Sequence, residues 1–419
     1  MKNDVNFSIF GENCRLNRNF HILLFYMKYI PRIIEKPLCA SLDRGKSILL
    51  LGARQTGKTT LLKHLGLSDL SYTFLDPELR LRFEKSPNTL GQEIAAYKRL
   101  NTTNDLPLVV IDEVQKVPAL MDAVQLLIDN QEAQFILTGS SVRKLRRHSQ
   151  FNLLPGRVIN FHLDPLSLQE LPKDNAPSLE QLLLYGSLPR IYLEPDEQTK
   201  QIELEAYVTN YLEEEVRGEA LTRSLGSFAR FLELASIEAG NQINLSKLSQ
   251  EIGVGRHTIT EYFYIIEDCL IAEKIEPLTY MSSRKRLTKA PKYLFFDMGI
   301  RRIAALEGTK LSLKQLGYLF EQFIGLELLR LVRTIHPLIR VRYWRDHAGP
   351  EVDYVLEYNQ RYLPIEVKWT DTPTLHDAKH LITFMNQYPC YKTGYIVCRC
   401  PRPMLLQDNV LALPWFDLV

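Results

Sequence analysis

Residues 52–59 read Gly-Ala-Arg-Gln-Thr-Gly-Lys-Thr, entered from the apolar run Ser47 to Leu51 and followed by a helical pattern that begins at Lys58. A turn of the form G-x-x-x-x-G-K-[ST] between a buried strand and a helix leaves few folds open. Glycines let backbone N–H groups wrap a triphosphate, because no Cβ obstructs the approach. Gly52, Gln55, Thr56 and Gly57 form the wrap, and Lys58 reaches toward the β- and γ-phosphates. Thr59 and Thr60 open the helix, with the Thr59 hydroxyl suited to Mg²⁺.

Two later strands support that reading. Leu108-Val109-Val110-Ile111 ends in Asp112-Glu113, so a carboxylate stands at the tip of a buried strand, where parallel sheets bind ligands. Asp112 is the candidate for the Mg²⁺ shell and Glu113 for polarising the attacking water. Two solvated acids closing a strand would look the same, and the glycine loop upstream decides between the readings. Phe135-Ile136-Leu137 ends at Thr138-Gly139-Ser140-Ser141. Ser140 is a candidate contact to the water or the γ-phosphate, and helix capping by Ser140 or Ser141 fits equally well.

The runs SILLLG, SYTFLD, LVVIDEV, QFILTGSS and RVINFHL lack strict alternation, as strands covered on both faces do. The expectation is a parallel α/β sheet over 27–165, preceded by an extension at 1–26. Ala119 to Asn130 is an intervening helix, with Leu120, Val124, Leu127 and Ile128 on one face.

With 419 residues, 45% of them hydrophobic, the chain can bury several cores. Its 51 basic and 49 acidic residues exclude a uniformly basic nucleic-acid coat, so contact with a polynucleotide has to be regional. Six cysteines are too few for a secreted disulfide framework, and a reduced, cytoplasmic setting is expected. The apolar run His21 to Met27 stops at Lys28, short of the ~20 residues of a membrane span, so no membrane association is expected.

Residues 166–226 read as a helical lid broken at Gly186-Ser187-Leu188-Pro189. In 227–295 a helix from Ser227 to Glu238 precedes two more, Leu245 to Ile252 and Arg256 to Cys269, joined by Gly253-Val254-Gly255. That is the helix–turn–helix pattern, made winged by strands behind it. Arg256, His257 and Thr258 would meet DNA or RNA, and Arg284, Lys285, Arg286, Lys289 and Lys292 would form a basic wing. Glu261, Glu267 and Asp268 weigh equally for a protein partner. The run Arg143 to His148 reads first as a solvated helix face.

Residues 296–419 form a further α/β unit. Asp353 lies in Glu351-Val352-Asp353-Tyr354, and Glu366-Val367-Lys368 follows on the next strand, with Glu366 and Lys368 on one face. Glu321, between Gly317 and Gly325 on the preceding helix, is a fourth member that the glycines allow to face the sheet. Glu321, Asp353 and Glu366 are candidate metal ligands; Asp353, Glu366 and Lys368 are candidate catalytic residues. His376 and His380 with Cys390, Cys398 and Cys400 match no closed zinc spacing and read as surface histidines and packed cysteines.

GARQTGKT, LVVIDEVQ, ILTGSS, the Leu154–Arg157 LPGR with the later PLSLQE, and YGSLP together resemble the AAA-type ATPases of bacteria and archaea that carry a C-terminal domain of unknown function. The resemblance implies ATP as ligand, ATP hydrolysis, and a sheet in which the strand ending near Ser140 lies between the loop strand and the Asp112 strand. Ser187 departs from a Gly-Gly pattern usual there. Arg157 is a candidate γ-phosphate contact, in cis or from a neighbouring subunit, although pairing with a carboxylate is slightly favoured. The C-terminal unit resembles the PD-(D/E)xK nuclease fold. The fold class expected is thus α/β: a P-loop NTPase sheet, a helical and winged-helix segment, and a restriction-endonuclease-like domain. The function expected is an ATP- and Mg²⁺-dependent switch acting on nucleic acid; the alternative is a non-cleaving regulator that binds DNA or a protein partner, with oligomerisation left open.

Overall fold

The unbroken apolar runs become strands covered on both faces. In the computed structural model β1 (Ser47–Leu51), β2 (Leu70–Thr73), β3 (Leu108–Asp112), β4 (Gln134–Gly139) and β5 (Val158–His162) form one sheet in the order β2-β3-β4-β1-β5. Every pairing is parallel, and all five residues of β3 are buried. The structure describes residues 29–101, 105–141, 154, 156–172, 177–212, 225–278, 290–346 and 349–418. The extension 1–26, the Arg143–His148 run and the basic run through Lys289 lie outside them.

β4 sits between β1 and β3, as the resemblance implied, and the registers Leu51↔Gly139 and Ile111↔Leu137 align their C-terminal ends. Helices α1 (Glu35–Leu42), α2 (Lys58–Leu65), α3 (Pro77–Lys85), α4 (Thr89–Leu100) and α5 (Leu120–Asp129) accompany the sheet. The apolar stripe of α5 packs Leu120, Val124 and Leu127 against Val109, Ile111, Phe135 and Leu137, the burial its periodicity requires.

The middle of the chain is helical: α6 (Leu179–Tyr185), α7 (Pro189–Leu193), α8 (Glu197–Ala206), a π-helical turn (Tyr207–Leu212), α9 (Leu225–Ile237), α10 (Leu245–Ile252) and α11 (Arg256–Asp268). Asn244 caps α10 and left-handed Gly253 ends it, so the expected turn separates α10 from α11. Phe228, Phe231, Tyr262 and Phe263 fill the space between α9 and α11.

Behind α11, β6 (Ala272–Pro277) and β7 (Lys292–Phe295) pair antiparallel. β6 then runs parallel to β8 (Arg340–Arg345), joining an eight-stranded sheet ordered β12-β13-β11-β10-β9-β8-β6-β7. Segments 227–295 and 296–419 therefore share a sheet. This sheet is completed by β9 (Glu351–Tyr358), β10 (Arg361–Val367), β11 (Gly394–Cys398), β12 (Met404–Gln407) and β13 (Val410–Pro414), with helices α12 (Met298–Ala304), α13 (Leu313–Ile335) and α14 (Lys379–Met385).

The long helix α13 starts at a capping box of Ser312 and Gln315 and crosses the sheet closely. A Cβ at Gly325 would lie 2.2 Å from the Tyr354 hydroxyl, so only glycine fits there; at Gly317 the nearest atom is an ordinary 3.6 Å away. Among the described residues no helix is long and apolar enough to cross a membrane.

Candidate functional site

The glycine loop joins β1 to α2, with Gly57 at φ +98° capping the helix. A Cβ on Gly52 would stand 2.4 Å from the Leu163 carbonyl oxygen, so the loop start is packed against the chain leaving β5. Gln55 takes a positive φ of 62°, and the buried Thr56 hydroxyl donates to the Ala53 carbonyl at 2.9 Å. The Lys58 ammonium rests on the loop's own carbonyls, 2.8 Å from Gly52 and 3.0 Å from Ala53. Thr60 is exposed on the first turn of α2.

Thr59 donates to Asp112 Oδ2 at 3.0 Å, bringing together the two residues suited to an Mg²⁺ shell. Thr138 donates to the other Asp112 oxygen and accepts from the Glu113 backbone N–H at 3.1 Å, fixing the acid pair at the strand tip. Glu113 has φ +59°, a conformation a non-glycine residue holds only where its surroundings impose it. Ser140 donates to Glu113 Oε2 at 3.2 Å and accepts from the Gln115 amide at 3.1 Å. Gln115 Oε1 is buried without a hydrogen-bond partner. Gln115, which the sequence reading did not single out, thus orients the acid meant for water; its signal was its place two residues beyond Glu113.

Arg32 was missed as well. Its guanidinium donates to the Thr56 carbonyl at 2.8 Å, the Asp164 carbonyl at 2.7 Å and Glu170 Oε1 at 3.0 Å, tying the loop to the chain after β5. A lone arginine ahead of the first strand carries no local pattern that would have shown this.

Arg157 pairs with a carboxylate. It immediately precedes β5, whose Val158 registers with Ser47 and whose His162 registers with Leu51, so it stands at the sheet edge opposite the glycine loop. Five residues of strand, about 16 Å, separate the two edges. Arg157 grips Asp129 at the end of α5 with two bonds, at 2.6 and 2.9 Å. A γ-phosphate contact within the same chain does not fit this position.

Past β5, His162 Nε2 lies 3.4 Å from Asp164 Oδ1. Arg333 of α13 donates to the Asp164 carboxylate and, at 2.6 Å, to Glu273 of β6. His162, Asp164 and Glu273 present ligand atoms within 4.8 Å of one another, but both acids are already paired with the Arg333 guanidinium. Burial pushes the Asp164 carboxyl up, yet Arg333, His162 and Arg330 pull it down further, to about 2. One turn earlier on α13, buried Arg330 reaches Glu327, the Leu166 carbonyl and Ser187. Ser187, in the YGSLP break, also donates its N–H to buried Asp297 at 2.8 Å.

The second cluster forms where α13 crosses β9 and β10. Lys368 pairs with Glu366 Oε1 at 2.6 Å, Asp353 Oδ2 accepts the Val367 N–H at 2.8 Å, and Glu321 pairs with Lys292 at 3.2 Å. The four residues expected together are neighbours, and Glu321 is inward and half-buried. Burial, then the Asp353 charge, raises Glu321 to about 7 and Glu366 to about 8. Burial likewise raises Asp353, against the pull of Lys368 and Lys292. Glu366 Oε2 is buried with no hydrogen-bond partner, which is where a cation fits the donor set.

Lys292 departs from its expected place. Read from sequence as part of a basic wing over DNA, it is a buried strand residue whose ammonium binds Glu351 at 2.9 Å as well as Glu321. Hairpin pairing turns it toward α13 and β9 instead of solvent. Arg256 and His257, at the start of α11, are exposed, and Thr258 is half-buried. Cys398 and Cys400 are fully buried in the core under α14.

Residues 44–172 match the family described as an AAA domain. Residues 176–312 and 316–418 match two families each described as a domain of unknown function (DUF8612 and DUF4143). Uncharacterized proteins of Mycobacterium bovis and Mycobacterium tuberculosis are each 26% identical over 341 residues, covering 80% of this chain and 73% of theirs. A Walker-type ATPase of Pyrococcus abyssi aligns structurally at 14% identity with a TM-score of 0.46, over 67% of this chain and 99% of that one. The five-stranded parallel sheet and its glycine loop lie within the stretch that matches the AAA domain, which supports ATP binding by this part of the chain.

Proposed function

We propose that this protein is an ATP-hydrolysing switch whose nucleotide state is passed along α13 to a carboxylate centre acting on nucleic acid. One observation carries the reading. Arg333 of α13 grips Asp164, whose backbone Arg32 ties to the phosphate loop, and Glu321 of the same helix enters the second cluster. At 1.5 Å per residue the two positions on the helix lie about 18 Å apart.

A switch needs a contact that differs between its states. Lys58, satisfied by loop carbonyls, would exchange them for the γ-phosphate. Thr59 and Asp112 would hold Mg²⁺, which supplies charge neutralisation for the transferred phosphoryl group. Glu113, held by Gln115 and Ser140, would orient the attacking water.

In the second cluster Asp353 and Glu366 would hold a divalent ion, with Lys368 beside the scissile phosphate. Exposed Arg256 and His257, at the end of a turn between two short helices, support a polynucleotide partner. A second reading, a non-cleaving regulator, draws support from Lys292 and Lys368, which already neutralise acids of the cluster.

The test is ATP turnover by wild type, Lys58→Ala and Arg333→Ala, each with and without DNA or RNA. The expected result is turnover that polynucleotide stimulates in wild type, none in Lys58→Ala, and unstimulated residual turnover in Arg333→Ala. Stimulation surviving in Arg333→Ala would remove α13 from the coupling.

A further inference from the structure

Lys292 has no part in the chemistry described above, yet it is the most buried cation of the second cluster, 4% exposed. Its Nζ lies 2.9 Å from Glu351 Oε1, 3.2 Å from Glu321 Oε1 and 5.0 Å above the Tyr343 ring. The other Glu351 oxygen takes Arg345 at 3.2 Å. Backbone pairing of Lys292 with Ile275 fixes the β7 strand there, so the segment that carries the helix–turn–helix contributes a charge to the C-terminal cluster.

The acids therefore divide into two sets. Glu321 and Glu351 share a resident ammonium that is held in place on both sides. Asp353 and Glu366 do not touch it: Asp353 accepts a backbone N–H, Glu366 gives one oxygen to Lys368, and the other Glu366 oxygen is buried and unpartnered. A buried acceptor without a donor is destabilising, and a bound cation offsets that cost. A buried ammonium between two carboxylates is held there, because removing either partner leaves an uncompensated charge.

We propose that Lys292 is a built-in counter-ion that fills one of two cation positions in the cluster, leaving Asp353 and Glu366 to bind a single divalent ion. Glu321 then serves Lys292 and is not a metal ligand. This rests on reading the second cluster as a metal centre.

Mn²⁺ binding to the full-length protein, measured by titration calorimetry, tests it. All proteins carry Asp112→Asn, so that the nucleotide site adds no signal, and melting temperatures verify folding. The expected result is one ion per chain in the parent and an affinity within twofold in Glu321→Gln. Glu366→Gln should bind at least tenfold more weakly, and Lys292→Met or Lys292→Gln should take up a second ion. Two ions bound with Lys292 in place, a tenfold loss in Glu321→Gln, or unchanged stoichiometry in a folded Lys292 variant would overturn the proposal while leaving the metal centre standing. No Mn²⁺ bound to any of the proteins would overturn both.

Discussion

The Asp164 carboxylate and the Arg333 guanidinium form an ion pair in which the acid is 15% exposed and the base 26% exposed. The pair joins the chain leaving the five-stranded sheet to α13. The fall of the Asp164 carboxyl to about 2 sets a sign for its effect on stability. The folded value is below the unfolded one, so the contribution is complete above about pH 4 and is lost as pH falls toward 2. At neutral pH it amounts to about 2 kcal/mol. Urea melts between pH 2 and 6 should show Asp164→Asn losing part of the acid-side slope that wild type has.

Lys58→Ala should abolish ATP binding, whereas Glu113→Gln should bind ATP normally and hydrolyse it at least a hundredfold more slowly. The difference follows from position: the Lys58 ammonium sits within the loop's carbonyls, while Glu113 stands at the strand tip, held by Ser140 and Gln115. Fluorescent-nucleotide binding and phosphate release separate the two effects.

Arg157→Ala should leave kcat and KM for ATP within twofold of wild type in the monomer, because its side chain is committed to Asp129 at the far edge of the sheet. A wild-type kcat that rises with protein concentration and is largely lost in Arg157→Ala would instead mark Arg157 as a contact supplied by a neighbouring subunit.

Much of this arrangement could be read from the sequence where local pattern and chemistry coincide. The strand before Gly52, the strand ending at Asp112, and the turn at Gly253 each combine a periodicity with a residue only that geometry uses. The β12–β13 hairpin was missed, although Asp408-Asn409 between apolar runs is a turn signal. Lys292 was misread because its sequence neighbours are basic, and its true partners, Glu321 and Glu351, come from elements far along the chain. Arg32 and Arg333 likewise act through partners that no spacing rule brings together.

Glu321 and Glu366 oppose Asp164 in sign. Burial raises both, to about 7 and about 8, so the stability tied to their protonated forms is full below about pH 4.5 and lost as pH rises through those values. Without divalent ions the protein should melt at lower temperature at pH 9 than at pH 6, and Glu366→Gln should flatten that slope. Equal slopes in wild type and Glu366→Gln would show that the carboxyl is ionised throughout.

The most direct measurement is cleavage of mixed DNA and RNA substrates in Mg²⁺ or Mn²⁺, with and without ATP, by wild type, Asp353→Ala and Lys58→Ala. The expected result is ATP-dependent cleavage by wild type that both variants lose, with ATP turnover intact in Asp353→Ala. Cleavage that survives Asp353→Ala, or none by wild type while it hydrolyses ATP, would contradict it.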